Sequence, residues 1–491
     1  MASPEELRAN RLEKRNKLEL AGINPYPSES KRTHELSEVM DNFDTLFDKE
    51  IIISGRVMSQ RGQGAILFVD IFDGTSKFQI VLKKDNNIVY FDNDEQDGFS
   101  LFKDVADLGD FIEVRGKLFI TKTEQKSLDV SAWRMLTKSI MPIPDSFYGL
   151  KDEDERFRKR YLDLLLNDEA RDIFYKKAKF WQTVRNFLLE KRFLEVETPT
   201  LEVTTGGAEA RPFSTHHNDF DLDVHLRISV GELWQKRLMA AGYPRTFEIG
   251  RVYRNEGSSS EHVQEFTNME FYAAFMNIET GKDMVRDLYI KIAKDVFGRT
   301  NFETRGHSFD LGSEWDEIDY VGEILKQTGI DVLESDEKEM EEKLKELHVK
   351  FDGKNRERMT DSLWKYCRKN IAGPAFLVNH PKLVAPLSKE HPEDSRKTEM
   401  FQVIIAGSEI GRAHSELNDA VDQKERFDEQ NRLLKEGDDE AMMPDHEFVE
   451  MLEYGMPPTF GFGFGERFFA FLADKPIREI QMFPLMKPRL E

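Results

Sequence analysis

Three stretches place charged residues where they could act on a ligand. In the first, Arg245–Arg254 alternates as a strand, with Phe247, Ile249 and Tyr253 on one side and Glu248 and Arg254 on the other. A polar loop, Asn255-Glu256-Gly257-Ser258-Ser259-Ser260-Glu261-His262, comes next. The returning strand puts Phe266, Asn268, Glu270 and Tyr272 on one face and Thr267, Met269, Phe271 and Phe275 on the other, since side chains alternate along a strand. A face of Phe, Asn, Glu and Tyr either lines a polar site or is the solvated side of an ordinary hairpin. In the second stretch, Gly461-Phe462-Gly463-Phe464-Gly465 runs into Glu466-Arg467. Alternate glycines clear one face of a strand, so that a flat ligand or another backbone can come close. Arg467 then stands at the start of a helix, placed for an anion; a Gly-rich core strand accounts for the glycines equally well. In the third, Ser408–Asp419, carboxylates recur among small residues, and a surface turn would do the same.

Other chemistry is absent. There is no Gly-x-x-x-x-Gly-Lys-Ser/Thr loop for phosphates, and the third glycine of 461–465 is misplaced for a dinucleotide fingerprint. No His-Glu-x-x-His occurs. His216 and His217 are adjacent, so on a strand they face opposite sides and are better read as structural than as metal ligands. The 491 residues carry a net charge of −22, with 33% charged residues and 37 Phe, which fits a soluble globular chain of two to four domains. No apolar run approaches the roughly 18 residues of a membrane span, and the polar, acidic N-terminus is not that of a signal peptide. One cysteine, Cys367, excludes an internal disulfide framework and favours a reducing, cytoplasmic location. The acidity means that any RNA contact must use local basic patches against the overall field.

The elements that must position these residues divide the chain at 1–30, 31–143 and 144–491. Residues 3–22 read as a helix, with Ser3 and Glu6 forming a capping box, Pro4 in the first turn and Gly22 at the end. Its Arg8, Arg11 and Arg15 share a face that is either solvated or a phosphate contact. Strands at 51–58, 65–72, 77–83, 111–120 and 127–136, punctuated by Arg61-Gly62-Gln63-Gly64 and Asp73-Gly74, with a helical patch near 98–106, predict an OB-type barrel. Leu67, Val69 and Ile71 share one face of their strand, and Phe78, Ile80 and Leu82 one face of theirs. Phe68 and Gln79 therefore point away from the core, where they could stack on and read a single-stranded base, or Phe68 could pack under a loop. After the Met141-Pro142-Ile143-Pro144 hinge comes one large domain. It opens with a helix near 170–191 on a stripe of Phe174, Ala178, Trp181, Val184 and Leu188, and a strand at 194–197. A helical insertion is expected at about 314–370; its acidic 334–347 stretch, with Met340, Leu344 and Leu347 as a thin apolar stripe, is given no chemistry.

Taken together and in order, the three charged stretches resemble the motifs of class II aminoacyl-tRNA synthetases. Phe193–Pro212 resembles motif 1 and the segment after it, Phe247–Phe275 with Arg254-Asn255-Glu256 motif 2, and Gly461–Arg467 motif 3. Within the class the similarity is to the lysyl-tRNA synthetases. It rests on Gly206-Gly207-Ala208 leading to Arg211-Pro212-Phe213, on Thr215-His216-His217-Asn218 and on Ser415-Glu416-Leu417-Asn418-Asp419. Gly437-Asp438-Asp439-Glu440-Ala441 and Phe483-Pro484-Leu485-Met486-Lys487-Pro488 complete it. The likeness covers essentially the whole chain. It implies an α+β protein: an N-terminal OB-fold barrel plus a catalytic domain on an antiparallel sheet flanked by helices. It implies ATP-dependent activation of L-lysine with Mg²⁺, transfer to tRNA(Lys), and a homodimer.

The same resemblance assigns roles. Arg254 would hold the α-phosphate and the amino-acid carboxylate. Arg467 and Phe266 would take the two faces of adenine, Arg467 also reaching the γ-phosphate, with Glu256 on the amino group and His262 near the phosphates. Glu409 and the position of Gln402 would bind Mg²⁺. Glu232 and Glu416, with Tyr272, would receive the lysine ε-ammonium, and Glu270 and the Gly207 backbone the α-ammonium; Arg412 and His414 complete that pocket. Arg61, Phe68 and Gln79 would bind the anticodon. Four departures stand out: a Glu is usual at Gln402, an Asn at Arg412, a Phe or Tyr at His414, and a third anticodon reader, a Glu, at Ala132. Two other readings stay open, an aspartyl- or asparaginyl-type synthetase, whose pocket should present cations, and a noncatalytic RNA-binding relative.

Overall fold

Alternation in the first third of the chain becomes a closed barrel. The computed structural model describes residues 3–489 apart from 63, 87, 92, 145–149, 209, 352–354 and 438–440. Gln63 of the first turn signal and Asp438-Asp439-Glu440 of the lysyl-type stretch thus lie outside the described residues. The chain forms two units, Met1–Arg156 and Phe157–Glu491. In the first, strands β1 (Glu50–Arg61), β2 (Ile66–Phe72), β3 (Lys77–Lys83), β4 (Val89–Tyr90), β5 (Asn93–Asp97), β6 (Phe111–Ile120) and β7 (Lys126–Thr137) run in the order β3-β2-β1-β6-β7-β4-β5. A parallel β3–β7 pairing closes β1, β2, β3, β6 and β7 into a barrel, with β4 and β5 extending from β7. The five expected strands are all present; β4 and β5 are too short to leave a periodic trace in the sequence. Leu67, Val69, Ile71, Phe78, Ile80 and Leu82 all enter the barrel core. The helix Gly98–Val105 adds Phe99 and Phe102 to it, and the Trp133 indole donates to the Gly98 carbonyl (2.7 Å).

The first helix, Pro4–Leu20, starts on the expected capping box of Ser3 and Glu6. Its basic face is partly spent on the protein itself, although Arg8 stays exposed. Arg11 is buried and donates to the Ser139 hydroxyl (2.6 Å) and to the carbonyls of Met141 (3.1 Å) and Leu108 (2.9 Å). Lys14 pairs with Asp107 and Lys17 with Asp104.

The second unit is built on an eight-stranded sheet. Its strands are β8 (Leu194–Glu195), β12 (Arg245–Tyr253), β13 (Glu265–Ala274), β16 (Asp316–Asp319), β17 (Ala375–Val378), β18 (Met400–Ile405), β19 (Ser408–Ser415) and β20 (Thr459–Gly465). The order is β16-β17-β18-β19-β20-β13-β12-β8, antiparallel from β17 to β12 with a parallel strand at each edge. A smaller sheet holds β9 (Leu201–Glu202), β10 (Ser214–His217) and β11 (Leu222–Leu226), and β14 (Asn301–Thr304) pairs with β15 (His307–Asp310). On β10, His216 bonds Asp223 (2.9 Å), a structural role.

One face of the large sheet carries the core. Phe271, Phe401, Phe462 and Phe464 pack against the helices Asp168–Glu190 and Ile278–Ile292. The buried side of the longer helix is Ile173, Phe180, Val184, Phe187 and Leu188. Its stripe is therefore rotated from the one the spacing predicts, and Ala178 is exposed. On the opposite face the helix Glu232–Ala240 packs against β12 and β13, its Leu233 and Met239 clustering with Tyr272, and the uncovered part becomes the floor of the site. Helices Tyr320–Thr328, Glu337–Glu346 and Arg356–Cys367 bury a second cluster, including Met340, Leu344, Leu363 and Trp364, against Ala375 and Leu377 of β17 and Ile404 of β18.

Candidate active site

The strand register lines up the floor row by row. Gln402 of β18, Arg412 of β19, Gly463 of β20 and Glu270 of β13 are successive cross-strand partners. The next row is Met400, His414, Gly461 and Tyr272. The glycines of β20 are thus the low centre of a trough with charged walls. A β-carbon at Gly461 would fall 2.6 Å from the Tyr272 ring, and one at Gly463 would fall 2.8 Å from Glu270 Cγ, so neither position admits a side chain. Of the two readings of the glycine strand, the cleared face is the one realised.

A bulge completes the row. Glu409 and Arg412 are three apart, and on a regular strand they would face opposite ways. The β18–β19 register shifts between Val403 and Ile404, so both side chains line the cavity while Ile410 goes to the core. The cavity holds about 470 Å³ and is lined by Gly207, Glu232, Arg254, Glu256, His262, Phe266, Glu270, Tyr272, Gln402, Glu409, Arg412, His414 and Arg467. Of the cavity residues expected from the sequence, only Glu416 is missing from this lining; it lies against Gly461 at the wall.

One end of the cavity is acidic. Glu270 accepts from the Val230 amide (2.8 Å), Asn268 (3.1 Å) and the Tyr272 hydroxyl (3.0 Å). Glu232 opens the helix Glu232–Ala240 after Gly231, whose φ of +65° is left-handed and suits glycine. Gly207 beside it has φ +85°, and a β-carbon there would meet Glu232 at 2.6 Å, so that backbone can approach the carboxylate only as glycine. Lys236, one turn after Glu232, is buried and joins two of the carboxylates, at 2.8 Å to Glu232 and 2.5 Å to Glu416. Burial raises Glu270 to about 7, the nearby Glu232 adding to it. Burial also raises Glu416 to about 8, against the pull of Lys236. Two carboxylates therefore share one ammonium, while Glu270 forms no ion pair among the described residues and feels the Arg254 charge only at longer range.

The other end is cationic. Arg254 lies over the Phe266 ring (5.4 Å), as the two residues expected at a nucleotide would. Arg467 donates to the Glu409 carbonyl and stands 3.6 Å from Glu261. Burial pushes the Glu409 carboxyl up, but Arg368, Arg412 and Arg467 together hold it below its ordinary value. The Trp364 indole donates to it at 2.6 Å. His262 bonds Ser259 (2.8 Å), and burial with the Arg467 charge pulls its pKa down. His414 is buried against Ser388 and held well below the usual imidazole range by burial and Arg412, so it is no cation. Gln402 bonds His380 Nε2 at 3.0 Å, and burial lowers His380 to about 4.

Lys236, Trp364, His380 and Arg368 join the site without having stood out in the sequence. Lys236 sits four residues after Glu232, the helical spacing that brings opposite charges together, and that signal was available. Trp364 comes from the insertion, where no local pattern points at a carboxylate 45 residues away.

On the barrel, Arg61, Phe68 and Val81 are cross-strand partners, as are Asp70, Gln79 and Ser127. Both rows lie on the face opposite the core, as alternation predicts. Phe68 is half-buried there, and Arg61 contacts Asp70 at 3.3 Å. Gln79 is 7% exposed, with its carbonyl oxygen taken by the Ser127 hydroxyl (2.9 Å), so only its amide nitrogen is left over from that bond. Ala132 is fully buried opposite Arg115 and offers nothing to a ligand.

An antiparallel sheet whose open face carries an arginine hairpin, a glycine strand and a walled carboxylate cluster defines a class II synthetase domain. Residues 152–487 match the family of class II tRNA synthetases (D, K and N), and residues 51–136 match the OB-fold nucleic acid binding domain. The chain belongs to that class II tRNA synthetase family. Among its curated relatives is the lysine–tRNA ligase of Thermotoga maritima, 39% identical over 99% of this chain and 96% of the relative. Those of Roseiflexus castenholzii (41%, covering 99% of both chains) and Bacillus subtilis (38%, covering 98% and 97%) are similar along their full length. No helix among the described residues is long and apolar enough to cross a membrane.

Proposed function

We propose that this protein is a lysine–tRNA ligase. The observation that carries the reading is the charge of the acidic end. Glu232, Glu270 and Glu416 carry three negative charges when ionised, Lys236 supplies one positive charge, and a substrate with two ammonium groups supplies the other two. Aspartate would bring its extra charge to carboxylates: Lys236 is already paired with Glu232 and Glu416, and Arg412 lies beyond Gly463 in the opposite wall. An aspartate pocket is disfavoured on that ground.

In the first step a carboxylate oxygen of lysine bonds to the α-phosphorus of ATP. The bond from that phosphorus to the β-phosphate bridging oxygen breaks, and pyrophosphate leaves with the electron pair. In the second, a ribose hydroxyl of the tRNA end attacks the lysyl carbonyl carbon, gives up its proton, and AMP leaves. No protein nucleophile is needed; positioning and fixed charges do the work. Arg254 holds the α-phosphate and the lysine carboxylate, and Arg467, Phe266, Glu256 and His262 hold the rest of ATP. Glu232 and Glu416 receive the ε-ammonium with Tyr272 beside them, and Glu270 and the Gly207 backbone the α-ammonium. Magnesium enters as part of the MgATP substrate. Arg61, Phe68 and Gln79 meet the uridines of a UUU or CUU anticodon, and the enzyme works as a cytoplasmic homodimer. The test is ATP–pyrophosphate exchange with each of the twenty amino acids. Exchange with lysine alone is expected; exchange with aspartate or asparagine, or with none, overturns the reading.

A further inference from the structure

The nucleotide end of the cavity does not fit a resident metal. A divalent ion between positions 402 and 409 needs oxygen donors with charge to spare. Gln402 is neutral and 4% exposed, and its carbonyl oxygen is already engaged by His380 Nε2. Glu409 already accepts from Trp364 with Arg368 4.0 Å away, and Glu261, the next carboxylate along that wall, is held by Arg305, Ser408 and Arg467. Arg412 stands directly across from Gln402 in the register, and its charge acts on Glu409, Arg254, His380 and His414 alike. Among the described residues it makes no hydrogen bond or ion pair, although it lines the cavity. An exposed guanidinium with no protein partner among the described residues, in a row with Gly463 and Glu270, is available to an anion in the cavity.

We infer that Arg412 replaces a resident divalent cation in this site, contacting the junction of the amino-acid carboxylate and the α-phosphate as a permanent charge. The inference rests on the proposed ligase reading. Two facts fit together in it. A carboxamide at 402 leaves the charge of the guanidinium opposite it unneutralised, as a carboxylate of the same shape would not. The row geometry also sets Arg412 and Glu270 two strand spacings apart, about 10 Å, with glycine between them. A zwitterionic head group lying on Gly463 would present its ammonium to one wall and its carboxylate to the other.

The experiment counts metal ions and follows their effect. Bound Mn²⁺ is measured by electron paramagnetic resonance with ATP and no lysine, for the wild type and for Q402E/R412N. One more ion per site is expected in the double variant; equal numbers overturn the proposal. In parallel, lysine-dependent exchange is followed against free Mg²⁺ at saturating MgATP. The wild type should be flat, whereas R412N alone should lose at least tenfold and regain part of it as free Mg²⁺ rises. R412K, which keeps the charge, should stay flat. A wild-type rate that climbs steeply with free Mg²⁺ overturns the inference without needing any variant to fold. Absence of lysine-dependent exchange in the wild type would show itself before any metal is varied, and would strike the ligase reading instead.

Discussion

The barrel's outer face and the trough of the catalytic sheet are both sheet surfaces offered to a ligand, and they are prepared in opposite ways. On the barrel the polar groups are already matched: Gln79 with Ser127, Arg61 with Asp70, Lys83 with Asp129. What is left over is an aromatic ring and part of an amide, suited to stacking and to reading a base edge. In the trough, charge is held back from its matches. Glu232 and Glu416 share one lysine, Arg412 has no partner among the described residues, and two carboxyls are driven toward neutrality by burial. A face that stacks on bases can rest in water without penalty. A cavity that must recognise ions has to keep charges unsatisfied until the ligand arrives, and burial makes each of them worth more.

This contrast can be broken, and the largest effect should come from the trough. Arg254→Ala removes a cation aimed at developing phosphate charge, and should reduce pyrophosphate exchange by about a hundredfold or more with the far-ultraviolet circular dichroism unchanged. A wild-type rate would refute the motif assignment. Glu416→Gln should weaken lysine use by roughly 2–5 kcal/mol while ATP binding changes little, because it strands a buried ammonium. Steady-state kinetics with each substrate varied in turn will separate the two. If ATP binding collapses and lysine kinetics hold, Glu416 lies outside the amino-acid pocket.

Titration sharpens the comparison further. Glu270 and Glu416 have folded pKa values of about 7 and about 8, above those of an unfolded carboxyl, so the empty site holds protons that lysine must displace. Lysine affinity should therefore rise with pH, by about tenfold per unit and per displaced proton, until pH passes about 8. Calorimetry in two buffers of different ionisation enthalpy should register proton release on lysine binding at about pH 6.5. The same raised values mean that the ligand-free fold loses stability as pH climbs from about 4.5 through about 8. A pH-independent lysine affinity would show that these carboxyls are already charged. The smallest effect belongs to the barrel. Phe68→Ala should raise the tRNA KM about tenfold, the worth of roughly one stacked base, and leave pyrophosphate exchange untouched. Gln79→Ala should act on anticodon choice, measured as charging of tRNA with its central uridine changed. Equal charging of both tRNAs by Phe68→Ala would make Phe68 a packing residue.

Much of this is legible in the chain itself. Period-two alternation locates both the barrel's outer face and the cavity face of β13, because the pleat forces neighbouring side chains apart whatever the tertiary context. The capping box sets the start of the first helix, since its bonds run between residues three apart. Elsewhere local pattern is not enough. Arg11 is part of a basic stripe in the sequence, yet it is spent on carbonyls about 100 residues and more away. The long helix buries a different stripe from the expected one because Ala178 and Ile173 differ in what lies opposite them rather than in hydropathy alone.

The residue types in the site, the alternation that aims most of them, and the glycines that keep the floor clear are properties of the sequence by itself, since each depends on neighbours within a few residues. Tertiary structure decided the rest. A bulge against β18 turned Glu409 and Arg412 to the same side, the helix Arg356–Cys367 brought Trp364 onto Glu409, and the pairing of Glu416, just after β19, beside Thr459 of β20 set it on Lys236. Each is an interaction between segments far apart in the chain, and its energy depends on burial, which no local window contains.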